Sequence, residues 1–177
     1  MVIGRRWNVL WENLTSVYLP EHVTAIARQY GRLHTPSAVD YFIIARNEFP
    51  WEQLPDVVIA RRGYDNYLVM LAIRENVSVV DITNTLIAVH QTDSEAQAFG
   101  RHHTLKEYNM NVLGKFFWRY GWTSSSQFMT KTVLDRSRNA DSIIIVRREA
   151  TKPKTRARRN DTALRFIRKY PKYRSYH

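Results

Sequence analysis

Between Val39 and Gln91 the chain carries an apolar pattern that needs layered strands and a helix to bury it. Val39 to Ala45 is an apolar, β-branched and aromatic run bounded by polar residues, the mark of a buried strand. A loop with Pro50 and Pro55 follows. Gly63-Tyr64-Asp65-Asn66 then opens a predicted helix, because Tyr64, Tyr67, Leu68, Leu71 and Ala72 fall at i, i+3, i+4, i+7 and i+8. Asp65 belongs to its first turn. Val77 to Ile82 and Thr85 to Val89 read as two short strands parted by Thr83-Asn84, the second delivering His90 at its exit. Strand, helix, strand in this order predicts a parallel, right-handed unit of an α/β sheet.

The flanks look like support. Val2-Ile3 read as the end of a strand and Gly4-Arg5-Arg6-Trp7-Asn8 as a strand-exit loop, an abrupt start that leads us to expect earlier strands before Met1. Pro20 to Tyr30 is a predicted helix with Pro20 near its first turn and Gly31 after its end. Gly31 to Ser37 is the loop into the central strand. Beyond His90, Thr92 to His103 lacks periodicity and reads as a loop. Leu105 to Tyr120 is helical in pattern, with Tyr108, Val112, Phe116 and Tyr120 on one stripe and Gly121 as the stop. Ser142 to Val146 is a strand or a buried apolar segment, and the core is expected to end at Arg147.

Charge divides the chain in two. Residues 151–177 hold ten Lys or Arg against one acid, Asp161, leaving 17 basic and 15 acidic residues in 1–150. A nearly neutral domain over 1–150 and a basic, disordered tail over 151–177 are therefore expected. There is no cysteine, which removes disulfides and thiolate chemistry. No apolar run approaches the roughly 20 residues of a membrane span, so the chain reads as soluble, the cytoplasm slightly favoured.

Five short motifs in order, Gly4-Arg5-Arg6-Trp7, Asp40-Tyr41-Phe42, Arg61-Arg62-Gly63-Tyr64-Asp65-Asn66-Tyr67-Leu68, Asp81-Ile82-Thr83 and Val89-His90-Gln91, resemble the C-terminal half of nucleotide-diphospho-sugar transferase-like proteins, the GT-A glycosyltransferase fold. Glu107-Tyr108-Asn109 extends the likeness, which runs from about Met1 to about Lys131. The resemblance implies a partial GT-A domain, Rossmann-like with a mixed, mostly parallel sheet, lacking the N-terminal nucleotide-binding half. It also implies a nucleotide diphosphate sugar as donor, an acceptor, and a divalent metal, Mn or Mg. Two departures matter. The family's Asp-x-Asp metal motif occurs nowhere in this chain, its expected place being upstream of Met1, and Asn8 stands where relatives carry Asp.

Glycosyl transfer needs a base at the acceptor hydroxyl and positive charge at the departing diphosphate. Asp65, at a helix start near the sheet's carboxyl edge, is the candidate base, and the resemblance implies an acidic acceptor-side residue there. Asp at a helix start also serves as a cap. His90 is the metal ligand the resemblance implies, with a backbone-bonded histidine as the plainer alternative. Arg6, Trp7, Asp40, Arg61 and Asn66 are the candidate substrate-binding residues, since guanidinium forks match phosphates and aromatics stack on sugars or bases. Asp81-Ile82-Thr83 reads as an Asx turn. Two other readings stand beside the enzyme: polyanion binding through the tail, where basic residues interleave with Phe166, Tyr170, Tyr173 and Tyr176, and a non-catalytic scaffold.

Overall fold

The computed structural model describes residues 1–10, 20–59, 61–92, 107–114 and 120–149. Among the described residues eight strands, β1 (Val2–Gly4), β2 (Arg6–Leu10), β3 (Arg32–Leu33), β4 (Tyr41–Ile43), β5 (Val80–Asp81), β6 (Ala88–Thr92), β7 (Phe128–Asp135) and β8 (Ala140–Arg147), alternate in pairs with helices α1 (Pro20–Tyr30), α2 (Tyr64–Arg74) and α3 (Tyr108–Leu113). The strands form a five-stranded sheet, β4-β1-β5-β7-β8, and a three-stranded one, β3-β2-β6. The domain is mixed α/β. Three ladders are parallel, β1 with β5, β2 with β6 and β5 with β7, and three are antiparallel. The expected mostly parallel sheet is thus an even mixture.

The two sheets are joined by strands that cross from one to the other. Arg5 alone separates β1 from β2, so the chain continues in one direction and bends at that residue. On one side, Gly4 and Arg5 lie opposite residues 82–87, which bulge into a turn held by Thr85 and Leu86 amides on the Ile82 carbonyl. On the other, Arg5 and Arg6 lie opposite residues 34–40, clamped at each end by His34 N–H on the Arg6 carbonyl and Asp40 N–H on the Gly4 carbonyl. Two loops therefore flank one bend. The expected strand-exit loop at Arg6 to Asn8 is in fact strand β2, and a short strand, β3, forms inside the expected loop from Gly31 to Ser37.

The predicted parallel crossover does not form. β4 lies antiparallel to β1 at the sheet edge while β5 lies on the other side of β1, so the strands joined through α2 are antiparallel and not adjacent. Strand adjacency is a long-range choice, which local periodicity does not encode.

Helix α2 is the core element. Tyr67, Leu68, Val69, Leu71 and Ala72 are buried and pack with Ile3, Val39, Phe49, Val79, Met110 and Leu113. Gly63 begins it at φ 94°, a left-handed conformation that glycine adopts without the Cβ clash of other residues. Asn76 ends it at φ 60°, with Val77 N–H on the Ala72 carbonyl at 2.8 Å and Asn76 N–H on the Ile73 carbonyl at 3.3 Å, the two bonds of a Schellman closure. Val77 is thereby returned to the core. Helix α1 follows its expected bounds and lies beside β2, where Val9 and Ala27 are fully buried.

The third helix is shorter than expected. Gly114, at φ 78°, follows its last residue, and its buried face carries Asn109, Met110 and Leu113, while Tyr108 and Val112 of the expected stripe are exposed. Phe116 lies outside the described residues, as do the expected loop after Thr92 and the basic tail. Ser142 to Val146 is a strand within β8, yet Ile143, Ile144 and Ile145 are exposed rather than buried. No helix among the described residues is long and apolar enough to cross a membrane.

Candidate functional site

The bend at Arg5 gathers charged residues from five segments. Side chains alternate along a strand, so Arg6 and Asn8 share one face of β2, and register places His90 of β6 beside Asn8 on that face. Arg32 lies opposite Asn8 in β3, and His34, just beyond β3, meets the Arg6 carbonyl. Trp7 takes the opposite face with Val9, Leu33 and Val89. Of the two adjacent candidates for substrate binding, Arg6 and Trp7, only Arg6 shares the face of Asn8 and His90.

Arg6 organises the polar face. Its Nη1 donates to Asp40 Oδ1 at 2.6 Å, its backbone N–H donates to Asp40 Oδ2 at 3.2 Å, and its Nε donates to Asn8 Oδ1 at 2.9 Å. Asp40 is therefore held by two donors of one residue. Asn8, standing where the likeness expected a carboxylate, orients the guanidinium instead.

Asp65 projects from the first turn of α2 without capping it; Gly63 is the N-cap and no side-chain cap bond forms. Burial, reinforced by the Asp40 carboxylate and opposed by Arg6, pushes its carboxyl up to about 6. Burial outweighs the guanidinium here. The two imidazoles respond in the opposite direction: burial and then Arg6 hold both His34 and His90 below the ordinary histidine value, against the pull of Asp40. His34 Nδ1 accepts the Thr35 N–H at 2.8 Å, so the neutral ring carries its proton on Nε2. His90 lies in the middle of β6, not at the exit of a strand ending at Val89.

Asn66 and Arg61 have different surroundings. The Asn66 amide donates to the carbonyls of Ser37 at 2.8 Å and Gly121 at 3.0 Å, so it ties the loop beside Asp40 to the segment after α3. Gly121 approaches the Asn66 carbonyl so closely that a Cβ would run into it. The Arg61 carbonyl receives Asn109 Nδ2 at 3.2 Å, while Val58 N–H and carbonyl are both bonded by the same buried Asn109 amide at 2.8 Å. Asn109 thus fixes the loop that leads into α2.

A second cluster lies on the other side of the bend. Asp81 accepts Thr83 N–H and hydroxyl in an Asx turn and receives Arg148 Nη2 at 2.8 Å, while the Thr83 hydroxyl accepts the Arg5 N–H at 3.0 Å. Its bonds are all internal and hold the bend's shape. Arg148, beyond the expected end of the core, completes it.

Sequence reasoning brought Arg6, Asp40, Asp65 and His90 forward, and the structure groups them. It missed His34, whose place depends on the β2–β3 pairing rather than on any pattern around it. Among the described residues no three His, Asp or Glu side chains are grouped so as to hold a metal ion. Asp40, the carboxylate nearest to the imidazoles in influence, is already engaged by Arg6. The fold and this cluster define a mixed α/β domain with an arginine, carboxylate and imidazole site at a sheet bend. No family model matches the sequence, and no curated protein or solved structure matches it.

Proposed function

We propose that this chain carries the acceptor side of a glycosyl transfer site that uses a nucleotide diphosphate sugar, with Asp65 as the base. The observation that supports this reading is the half-buried Asp65, held near 6 beside the Arg6–Asp40 pair. A carboxylate of that basicity is largely ionised at neutral pH and still accepts a proton readily, which is the balance general base catalysis requires. As the acceptor oxygen bonds to the anomeric carbon, its proton passes to the Asp65 carboxylate. The bond from that carbon to the diphosphate oxygen breaks, and its electron pair leaves with the diphosphate.

Arg6 serves this reading in two ways. It balances Asp40, so that the site does not hold two uncompensated carboxylates, and it presents a cation to which a phosphate oxygen is attracted. Neutral His34 and His90 add hydrogen-bonding rings without adding charge. His90 is the ligand this chain would offer to a divalent ion. The described residues do not supply a complete ligand set, so no step here passes through a metal.

Thermal melts of the full chain with a panel of nucleotide diphosphate sugars, each with and without Mn²⁺, test the reading directly. One donor is expected to raise the melting temperature, since a ligand at 100 times its Kd adds about 2.7 kcal/mol to a folded state. Asp65→Asn should keep that shift while lowering transfer at least about 100-fold. A cooperative melt unmoved by every donor overturns the proposal.

A further inference from the structure

The β7–β8 hairpin leaves a long edge open. β8 pairs with β7 from Ala140 to Arg147, and no described strand lies along its outer side. Its exposed residues are unusually apolar for an edge, Ile143 being 62% and Ile145 64% accessible, with Leu134 of β7 at 62% on the same face. Edge strands normally carry charge, proline or a bulge that prevents further pairing. Between Asp141 and Arg147 this one carries none of these.

Hydrogen-bond parity shows which groups the edge presents. Arg148 N–H bonds the Gln127 carbonyl at 2.8 Å, so even-numbered residues of β8 turn their backbone groups toward β7. Asp141, Ile143, Ile145 and Arg147 therefore turn theirs outward. We infer that a second copy of this chain pairs there, β8 against β8 in antiparallel orientation, with Ile144 opposite Ile144.

Charge selects that register. With Ile144 on the two-fold axis, each Asp141 faces an Arg147 of the other copy, and each Ile143 faces an Ile145, all through outward-facing backbone groups. A shift of the axis to Ile145 would set Asp141 against Glu149, and a shift to Ile143 would leave both charges opposite uncharged residues. The contact is isologous, so it closes at two copies. The five-stranded sheets of the two copies become continuous through β8.

A single cysteine reads the register, because the chain has none of its own. Ile144→Cys in the full chain would stand opposite itself in a non-hydrogen-bonded pair, a separation of about 4.5 Å between Cα atoms that a disulfide spans. Mild oxidation should give a covalent dimer from Ile144→Cys and little from Ile143→Cys. Sedimentation should show a dimer that Asp141→Arg or Arg147→Asp weakens and the double exchange restores; both residues are exposed, so the fold is preserved. Amides of Ile143 and Ile145 should gain hydrogen-exchange protection as concentration rises. A monomer at every concentration overturns the inference. Protection of those amides within a monomer would also overturn it, assigning the edge to another segment of this chain. Equal cross-linking at both positions would overturn the register.

Discussion

Asp65 holds its proton to an unusually high pH because its carboxylate is half-buried and faces Asp40. The native state therefore binds more protons than the unfolded chain between about 3.8 and about 6, and stability falls as pH rises through that window. At neutral pH the ionised side chain costs stability. Asp65→Asn should accordingly unfold at higher urea than the parent near pH 8, by roughly 1 to 3 kcal/mol, with the difference vanishing near pH 4. A parent that is the more stable at the higher pH would contradict this. Arg6 restrains the same shift, so Arg6→Gln should move the Asp65 titration to still higher pH, visible in its carboxyl NMR resonance. That change should also cost roughly 1 to 3 kcal/mol, because Asp40 loses its ionic donor. If the Asp65 titration stays in place, Arg6 does not act on it. The histidines work against Asp65 on acidification: with folded values below the ordinary one, their contribution is present above about 6.5 and lost as pH falls.

The site's precision comes from the amides of two elements. Asn66 in α2 and Asn109 in α3 each satisfy backbone groups of loops that have no regular structure of their own. Asn109→Ala leaves Val58 N–H and the Val58 and Arg61 carbonyls without that partner in a partly buried place, so a loss of roughly 1 to 3 kcal/mol is expected in chemical denaturation. Asn66→Ala frees the Ser37 carbonyl and should broaden the amide resonances of residues 35–39 more than those of β7. Helix α2 itself was legible, since Tyr64, Tyr67, Leu68, Leu71 and Ala72 repeat at helical spacing after Gly63, while its closure at Asn76 was seen only in the structure. The two asparagines were not legible as clamps. Each reaches segments distant in the chain, and an isolated Asn in a helix carries no sign of its partner.

At the scale of the molecule, two sheets meet where β1 passes through Arg5 into β2, and the charged cluster lies at that junction. The hairpin beyond it extends β7 and β8 past their last contact with β5. The basic tail follows directly. Its ten cations should bind single-stranded nucleic acid with an affinity that falls steeply with salt, and a chain ending at Ala150 should lose that binding while its melt is unchanged. Retention of the binding by the shortened chain would place the polyanion contact on the domain instead.

Local pattern specified the helices α1 and α2 and the Asx turn at Asp81, because helix periodicity and turn chemistry are written in neighbouring residues, whereas Arg6, Asp40, Asp65 and His90 were candidates that the resemblance brought forward. Which strands lie side by side was decided only in three dimensions. β4 could lie beside β1 or β5 without altering its apolar run, and the choice of β1 turned an expected parallel crossover into a mixed sheet. The β2–β3 pairing brought His34 to Arg6, and the β1–β4 pairing set Asp40 beside the bend. The raised carboxyl follows from that assembly, since burial and a charge 25 residues away are properties of packing and not of the peptide around Asp65.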